Sequence, residues 1–255
     1  MVDYRSHIVK PQKKSKRSIL LKGPSGCGKT FQFRKLLAGG MKGLYACVGE
    51  HVGTIEDLTY DHWPIAQVDI PLMPSEKAPS KQDFILLMDF LRTADHGYDF
   101  VFFDSLMNFA ERLLNELKYG KRLTGFELWG VFAEKMRMMI NLLVSLAEPT
   151  QKAPLHVIGT WGVEVDQDWE GKRAIVPLID GKKVGPKIDY AFDDVLMLRK
   201  RQDPASGEIE FLAYTGGTHE FDAKVSSGTV KMPPVWADPD LFKMLQKFGS
   251  VSVSK

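Results

Sequence analysis

Short, continuous apolar runs alternate along the chain with longer segments whose apolar residues recur every three or four positions. The runs predict strands at 18–22, 43–48, around 66–70, 100–103, 155–159, 194–198 and 208–214. The helical spacing predicts helices at about 29–37, 81–95, 105–117 and 126–147, and the capping sequence Asp238-Pro239-Asp240 predicts a short last helix that ends at 248. Strands that alternate with helices favour an α/β fold with a mainly parallel central sheet flanked by helices.

The later part of the chain carries closely spaced strand signals without helices between them. Strands within 194–230 therefore predict a C-terminal antiparallel hairpin added to the sheet. A second hairpin is expected in the polar stretch 162–187, with its turn at Glu170, Gly171 and Lys172. At 255 residues and 44% hydrophobic composition, the chain fits one large domain. We divide it into a basic arm at 1–17, one domain at 18–248 and a frayed tail at 249–255.

The first strand runs directly into a glycine-rich turn and a helix. The turn, at 23–30, reads G-x-x-x-x-G-K-T, which is the motif of a phosphate-binding loop, or P-loop. Glycines allow successive backbone N–H groups to point at phosphates, and the helix adds its N-terminal dipole. Lys29 is expected to reach the β- and γ-phosphates, and the Thr30 hydroxyl to hold Mg²⁺. The predicted nucleotide contacts are Gly23, Pro24, Ser25, Gly26, Cys27, Gly28, Lys29, Thr30 and Phe31.

Polar residues also follow three other predicted strands, at the carboxyl ends where open α/β sheets bind ligands. Asp104 ends an apolar strand and is the predicted Mg²⁺ ligand, either directly or through water. Glu50 is the candidate base that orients the attacking water, with His51 as its substitute. Thr160 is the candidate polar sensor of the γ-phosphate. Trp161, next to it, is expected either to stack on a base or to pack.

Composition limits the remaining classes of function. The formal net charge of +2 neither requires nor excludes nucleic acid. The two cysteines, Cys27 and Cys47, form neither a disulfide framework nor a zinc set and fit a reducing cytosol. The polar, basic N-terminus has no apolar signal segment, and no run is long enough to cross a membrane. We therefore expect a cytoplasmic protein without a membrane partner, whose basic arm is a solubilising tail or a contact to DNA or a subunit.

The series of strand, P-loop, helix and Glu50, together with Phe103-Asp104-Ser105, resembles the ATPase core of RecA. The stretch 185–199, which reads GPKIDYAFDDVLMLR, is also similar, as is Phe221-Asp222-Ala223-Lys224 with the later Pro233-Pro234. Together these resemble a compact RecA-like P-loop family that is common in phage genomes and includes single-strand annealing recombinases. The resemblance covers roughly residues 15–248.

The resemblance implies ATP at the P-loop, water activation at Glu50, Mg²⁺ support at Asp104 and Lys224 as a lysine that reaches a neighbouring subunit. It also implies DNA-contacting loops between the later strands. The first loop, 118–124, contains Lys118, Lys121 and Arg122, and the second loop, 162–183, contains Trp169, Lys172, Arg173, Lys182 and Lys183. The implied partners are single-stranded DNA, further copies of the chain in a ring or filament, and a single-strand-binding protein as a candidate, for a phage protein in the host cytoplasm.

Two features depart from RecA proteins. Thr160-Trp161 stands near the position where those proteins place a glutamine switch, and the separate N-terminal oligomerisation helix and C-terminal domain have no counterpart. Annealing or simple binding is therefore expected rather than full strand exchange. In the second loop, tryptophans interleave with cations, as in single-strand binding, but four nearby carboxylates would repel phosphate. The loop is thus either a DNA contact or a flexible lid over ATP.

The expected function is a Mg²⁺-dependent ATPase that acts on single-stranded DNA in recombination or replication. Positive charge near the leaving phosphates could come from Lys187, Arg199 or Lys224. One alternative is a P-loop kinase for a small molecule, with Arg199-Lys200-Arg201 as its lid. Another is a nucleotide-gated assembly ATPase without a DNA role. ATP is taken over GTP because the chain has no N-K-x-D motif.

Overall fold

The computed structural model describes residues 15–49, 53–66, 68, 83–167, 173–179, 185–204, 206–226 and 231–251. The strands are β1 Ser18–Lys22, β2 Gly43–Cys47, β3 Asp61–Pro64, β4 Phe100–Asp104, β5 His156–Trp161, β6 Val163–Gln167, β7 Arg173–Pro177, β8 Asp194–Gln202, β9 Ile209–Tyr214, β10 Lys224–Val225 and β11 Val235–Ala237. The helices are α1 Phe31–Ala38, α2 Asp83–Thr93, α3 Leu106–Asn115, α4 Gly125–Ser145, α5 Gly185–Ala191 and α6 Leu241–Lys247. A π-helical turn, Glu116–Gly120, follows α3.

A mostly parallel sheet forms the centre of the molecule. Its strand order is β11-β9-β8-β1-β5-β4-β2-β3, with β10 also paired to β8. The run from β8 to β3 is parallel, and β9, β10 and β11 pair antiparallel to their neighbours. The predicted α/β class and the C-terminal antiparallel hairpin are therefore confirmed. Strand β5 lies between β1, which leads into the P-loop, and β4, which ends in Asp104.

Each face of the sheet has its own hydrophobic core, because side chains alternate between the two faces along each strand. In β4, Val101 and Phe103 pack with α2, α3 and α4 on one face. Phe100 and Phe102 pack with α1 and α6 on the other face. Burial on both faces explains why the central strands are continuous apolar runs in the sequence.

Helix α4 illustrates how the predicted helical spacing is used. Met136 and Met139 are buried in the core of the first face, as expected of methionines on an apolar stripe. Helix α3 places Leu106, Phe109 and Leu113 against the same core. Helices α3 and α4 thereby cover the face of the sheet on which Val101 and Phe103 lie.

Two expectations about elements were wrong. The third strand lies at Asp61–Pro64 rather than around 66–70, where Ala66 and Val68 are not in a strand and residues 67, 69 and 70 lie outside the described residues. As the last strand of the sheet, β3 is mostly exposed and so carries no apolar pattern. Helix α5 was missed within the polar stretch, because its seven residues are too few to show a helical period. The hairpin in that stretch is present as β6 and β7, and its turn lies outside the described residues.

The start of the described chain is attached to the sheet. Arg17 donates from its Nε and Nη2 atoms to the carboxylate of Asp194, at 2.5 and 2.8 Å, and its Nη2 also reaches the Ser226 hydroxyl at 2.9 Å. Its guanidinium lies 4.6 Å from the centre of the Phe248 ring. Arg17, which the sequence assigned to the basic arm, therefore joins β8, the end of β10 and the end of α6.

Candidate functional site

The P-loop connects β1 to α1 in a tight turn. A side chain at Gly23 would collide with the carbonyl oxygen of Leu198 and with the Cys27 sulfur, so only glycine fits there. Gly26 has a φ of +71°, in the left-handed region that favours glycine. The Cys27 side chain is buried under the loop, and this burial raises the pKa of its thiol. The loop therefore has the backbone shape that the motif predicts.

Lys29 extends across this loop. Its ammonium donates to the carbonyl oxygens of Gly23 and Pro24, at 2.7 and 2.8 Å. These bonds hold the positive charge over the concave side of the turn, next to the N-terminus of α1. A phosphate at this point would meet both the ammonium and the backbone N–H groups of the helix start.

Asp104 accepts hydrogen bonds from three hydroxyl groups that belong to three different elements. Thr30, at the end of the P-loop, donates to Oδ2 at 2.7 Å, and Tyr45 from β2 donates to the same oxygen at 2.8 Å. Thr160 from β5 donates to Oδ1. The bond from Thr30 places its hydroxyl beside the Asp104 carboxylate, and the two groups would need to be this close to share a Mg²⁺ ion.

Tyr45 was not singled out from the sequence. It lies within the apolar run of β2 and resembles an ordinary core aromatic, with its ring packed against Phe33, Tyr60 and Phe102. Burial, the negative charge of Asp104 and the hydrogen bond to that carboxylate all raise the pKa of the Tyr45 phenol. Tyr45 thus stays a neutral donor to Asp104. A hydroxyl at one position of an otherwise apolar strand is the signal that could have identified it.

An open cleft of about 760 Å³ lies over these groups. Its walls include the P-loop, Asp104 and Asn108, together with Gly53 and Thr54 from the segment after β2. Gly162, Val163 and Leu178 close the opposite side, where the β6–β7 hairpin begins and ends. The cleft is large enough for the phosphates of a nucleotide, which need polar groups in a mostly preformed site.

Thr160 and Trp161 lie at the end of β5 but have different surroundings. Both are fully buried. Thr160 reaches the cleft only through its bond to Asp104. The indole Nε1 of Trp161 donates to the carbonyl oxygen of Leu178 at 2.9 Å, so Trp161 packs in the core and does not offer a stacking surface. The role of Thr160 as a γ-phosphate sensor stays a prediction.

Several predicted residues lie outside the described part of the chain. They are Glu50, His51, Trp169, Lys172, Lys182 and Lys183. Arg173 is the first residue of β7, but its side chain is not described, and the same holds for Lys187 in α5. The candidate base and most of the second predicted DNA loop therefore stay predictions.

The first predicted DNA loop is described and forms an exposed surface. Lys118, Lys121 and Arg122 are all exposed, in and just after the π-helical turn. Large apolar side chains are exposed beside them, and these include Tyr119 and Trp129, and Phe126 with 98% of its side chain accessible. The Lys118 ammonium lies 5.2 Å from the centre of the Tyr119 ring. We call this set of six residues the aromatic–basic surface.

The candidates for positive charge on the phosphates lie in the C-terminal part of the sheet. Lys224 is half-buried in β10, where it pairs with Val195. Arg199 is in β8, where its Nη2 lies 3.2 Å from Oε2 of Glu220 and its guanidinium lies over the Phe221 ring. Neither residue lines the cleft over the P-loop. Within this one chain they are separate from the cleft, and their role near the phosphates stays a prediction.

Comparison with known families supports this interpretation of the cleft. The AAA_24 family model, described as an AAA domain, matches residues 15–227. The chain belongs to this AAA-domain family. The match covers the P-loop, Asp104, Thr160 and the strands as far as β10. No curated protein sequence shows significant similarity to the chain.

Solved structures with a similar fold are only distantly related to this AAA-domain protein. The flagellar accessory protein FlaH from Methanocaldococcus jannaschii is 12% identical with a TM-score of 0.43, and the match covers 87% of this chain and 84% of that one. A KaiC-like protein from Pyrococcus horikoshii OT3 is 14% identical with a TM-score of 0.47, over 88% and 90% of the two chains. The RadB recombinase is 17% identical with a TM-score of 0.42, over 78% and 79%.

The family match and the geometry of the cleft agree on a nucleotide-binding P-loop domain of the AAA type. Among the described helices, none is both long and apolar enough to cross a membrane.

Proposed function

We propose that this AAA-domain protein is a Mg²⁺-dependent ATPase that acts on single-stranded DNA, in recombination by annealing or in replication, as the resemblance to the phage RecA-like family implies. The observation that supports the ATPase most strongly is the hydrogen bond between Thr30 and Asp104, since it joins the last residue of the P-loop to the end of β4. The cleft above this bond has room for the triphosphate group of a nucleotide.

Different residues of the chain have different roles in the proposed hydrolysis. The P-loop amides and the Lys29 ammonium bind the β- and γ-phosphates and stabilise the negative charge that develops during transfer. Thr30 and Asp104 would hold Mg²⁺, which would neutralise part of the negative charge of the phosphates. Thr160 and Tyr45 hold the Asp104 carboxylate in position. Glu50, which directly follows Gly49, orients the attacking water.

The aromatic–basic surface supports the DNA part of the proposal. Single-stranded nucleic acids bind where cations meet the phosphates and aromatic rings stack on the bases. Lys118, Lys121 and Arg122 supply three positive charges, and Tyr119, Phe126 and Trp129 supply exposed aromatic rings beside them. The surface follows α3, which begins two residues after Asp104, so DNA bound there would be connected to the ATP site through one helix.

The first test measures ATP hydrolysis with Mg²⁺, with and without single-stranded DNA, over a series of salt concentrations. We expect DNA to stimulate hydrolysis and the stimulation to fade as salt rises, because phosphate contacts release counterions. Replacing Lys118, Lys121 and Arg122 together by alanine should remove the stimulation and leave DNA-independent hydrolysis intact. A matched control replaces Lys231, Lys243 and Lys247, three exposed lysines elsewhere, and should keep the stimulation.

The outcomes of this test separate the proposal from its alternatives. Hydrolysis that ignores DNA at every salt concentration would contradict the DNA part and favour an assembly ATPase. ADP release that requires a small-molecule acceptor would favour a kinase. If the triple variant and the lysine control responded to DNA equally, the aromatic–basic surface would not be the contact.

A second test concerns the P-loop. Lys29→Ala should abolish tight ATP binding or hydrolysis, because the variant loses the ammonium that lies over the turn. Binding of a fluorescent ATP analogue and steady-state turnover measure the two effects. The matched control is Lys247→Ala, because Lys247 is exposed on α6, and this variant should keep wild-type turnover. Lys35→Ala would not be a suitable control, because Lys35 lies next to the loop. Unchanged turnover in Lys29→Ala would overturn the assignment of the P-loop.

A third test concerns the base. Glu50→Gln should bind ATP with nearly unchanged affinity but hydrolyse it poorly, because glutamine keeps the shape of the side chain and loses the carboxylate that orients water. Binding and single-turnover hydrolysis are measured on the same sample. Wild-type hydrolysis in Glu50→Gln would move the role to another residue, and His51→Gln would then be tested next.

A further inference from the structure

A second depression lies beside the P-loop, on the opposite side from Asp104. Its volume is about 310 Å³. It shares Gly26, Gly28, Phe31 and Thr54 with the cleft over Asp104, so the two spaces are neighbours along the loop. Asp104 and Asn108 line only the cleft, whereas Lys35, Phe211 and Asp238 line only the depression.

The positions of the two spaces predict how a nucleotide would be oriented along the loop. A nucleotide whose terminal phosphate lies near Thr30 and Asp104 would have its other end directed along the loop, past Gly28 and Phe31. That end carries the sugar and the base. The depression lies where this end would arrive, and its volume falls at the lower end of the range of small-molecule sites.

Aromatic rings form the distinctive part of the depression. Phe31 is the first residue of α1 and Phe211 lies in β9, and their side chains are 42% and 41% exposed. The Phe211 ring lies close to Gly28 and would be 3.5 Å from a Cβ atom there. Two partly exposed phenylalanines that line one depression are a suitable surface for a flat, aromatic ligand.

The polar groups of the depression are already engaged within the protein. The Lys35 ammonium lies 2.6 Å from Oδ1 of Asp238 and donates to the carbonyl oxygen of Pro239 at 3.0 Å. The amide of Gln32 donates to the same carbonyl oxygen and accepts from the backbone N–H of Leu241, both at 3.0 Å. A ligand in the depression would therefore gain more binding free energy by stacking on the aromatic rings than by forming new hydrogen bonds along its own edge.

We propose that this depression is the base-binding part of the nucleotide site, in which Phe31 and Phe211 contact the faces of a purine base. The proposal rests on the proposed function, because it assumes that the P-loop holds the phosphates. It adds that affinity for the nucleoside half comes from stacking. Adenine and guanine nucleotides therefore depend on Phe211 to a similar extent.

The test compares the binding of ATP, GTP and inorganic triphosphate, each with Mg²⁺, to the wild type and to Phe211→Ala by isothermal titration calorimetry. We expect Phe211→Ala to bind ATP and GTP about 5- to 150-fold more weakly, because the base loses one aromatic stacking partner. The affinity for inorganic triphosphate should be unchanged, because that ligand has no base. Phe31→Ala should show the same pattern.

Tyr190→Ala is the matched control, because Tyr190 is an aromatic residue on α5 with 80% of its side chain exposed and does not line either space. It should bind all three ligands like the wild type. The base-binding proposal would be overturned if Phe211→Ala bound ATP like the wild type, or if it lost triphosphate affinity by the same factor.

The same experiment separates this proposal from the assignment of the P-loop. Wild-type protein that binds inorganic triphosphate as tightly as ATP would contradict the base-binding proposal and leave the P-loop assignment standing. Wild-type protein that binds none of the three ligands would contradict both.

Discussion

Asp104 shows how a single residue can depend on distant parts of the chain. Its carboxylate accepts from Thr30, Tyr45 and Thr160, which lie 74, 59 and 56 positions away in the sequence. The position of Asp104 after an apolar strand was enough to predict a Mg²⁺ ligand. Its three hydroxyl partners depend on the order of β1, β5, β4 and β2 in the sheet, which the sequence pattern does not determine.

His156 provides a test of the folded state at the level of one residue. It is fully buried at the start of β5, where its Nδ1 accepts from the backbone N–H of Arg17 at 3.2 Å. Burial lowers the pKa of His156 from 6.5 to about 3, and the positive charges of Lys16 and Arg17 contribute in the same direction. The folded protein therefore keeps His156 neutral at a pH where the unfolded chain binds a proton.

The sign of the effect on stability follows directly. The contribution of His156 is fully present above pH 6.5 and is lost as the pH falls towards 3, at about 1.4 kcal/mol per pH unit within that window. We expect His156→Gln, which cannot titrate, to lose less stability between pH 6.5 and pH 4.5 than the wild type. Denaturant unfolding at both pH values measures the difference, and identical losses in the two proteins would contradict the assignment.

At the scale of elements, burial explains which strands and helices could be predicted. Strands β1, β4 and β5 are buried on both faces, so their sequences are unmistakable apolar runs. Among the described strands, β3 pairs only with β2, and it is largely exposed, so its DHWP sequence carries no such signal. Its position is decided by backbone pairing to β2 and not by its own side chains.

Helix α6 allows a prediction at this scale. It places Leu241, Met244 and Leu245 in the core beside α1, and the Asp240 side chain caps its first turn by accepting from the backbone N–H of Lys243 at 3.2 Å. Asp240→Ala should lower the free energy of unfolding by about 1 kcal/mol, because the N–H loses its acceptor. Asp240→Asn keeps a capping oxygen and serves as the control. Equal losses in denaturant unfolding for the two variants would show that the cap itself is not the cause.

At the scale of the whole molecule, one arginine joins the start of the described chain to β8 and to the residue after α6. Arg17 binds Asp194 in β8, and its guanidinium packs on Phe248 after α6. The Asp194 side chain is fully buried and also accepts from the backbone N–H of Ser226 at 2.9 Å. Burial therefore makes the carboxylate depend on its charged partner.

Removing Arg17 should lower the free energy of unfolding more than removing an arginine from an exposed ion pair. We expect Arg17→Met to lower the free energy of unfolding by about 3 kcal/mol, since it leaves a buried carboxylate without a counter-charge. Arg201→Met removes a comparable arginine from its exposed pair with Glu210 and should leave the stability nearly unchanged. Urea unfolding of both variants tests the difference, and similar stabilities for the two would contradict the importance of the Arg17–Asp194 pair.

The P-loop, the buried central strands, the α/β class and the C-terminal hairpin could all be predicted from the amino-acid sequence. These features rest on local signals, namely glycine spacing, continuous apolar runs and short turns between strands. Three contacts could be seen only in the folded chain: Tyr45 and Thr160 converge on Asp104, Trp161 packs in the core, and Phe31 and Phe211 line one depression. Each of these depends on which strands are neighbours and in what register, because contacts between distant residues are set by packing of the whole sheet and leave no periodic pattern in the chain.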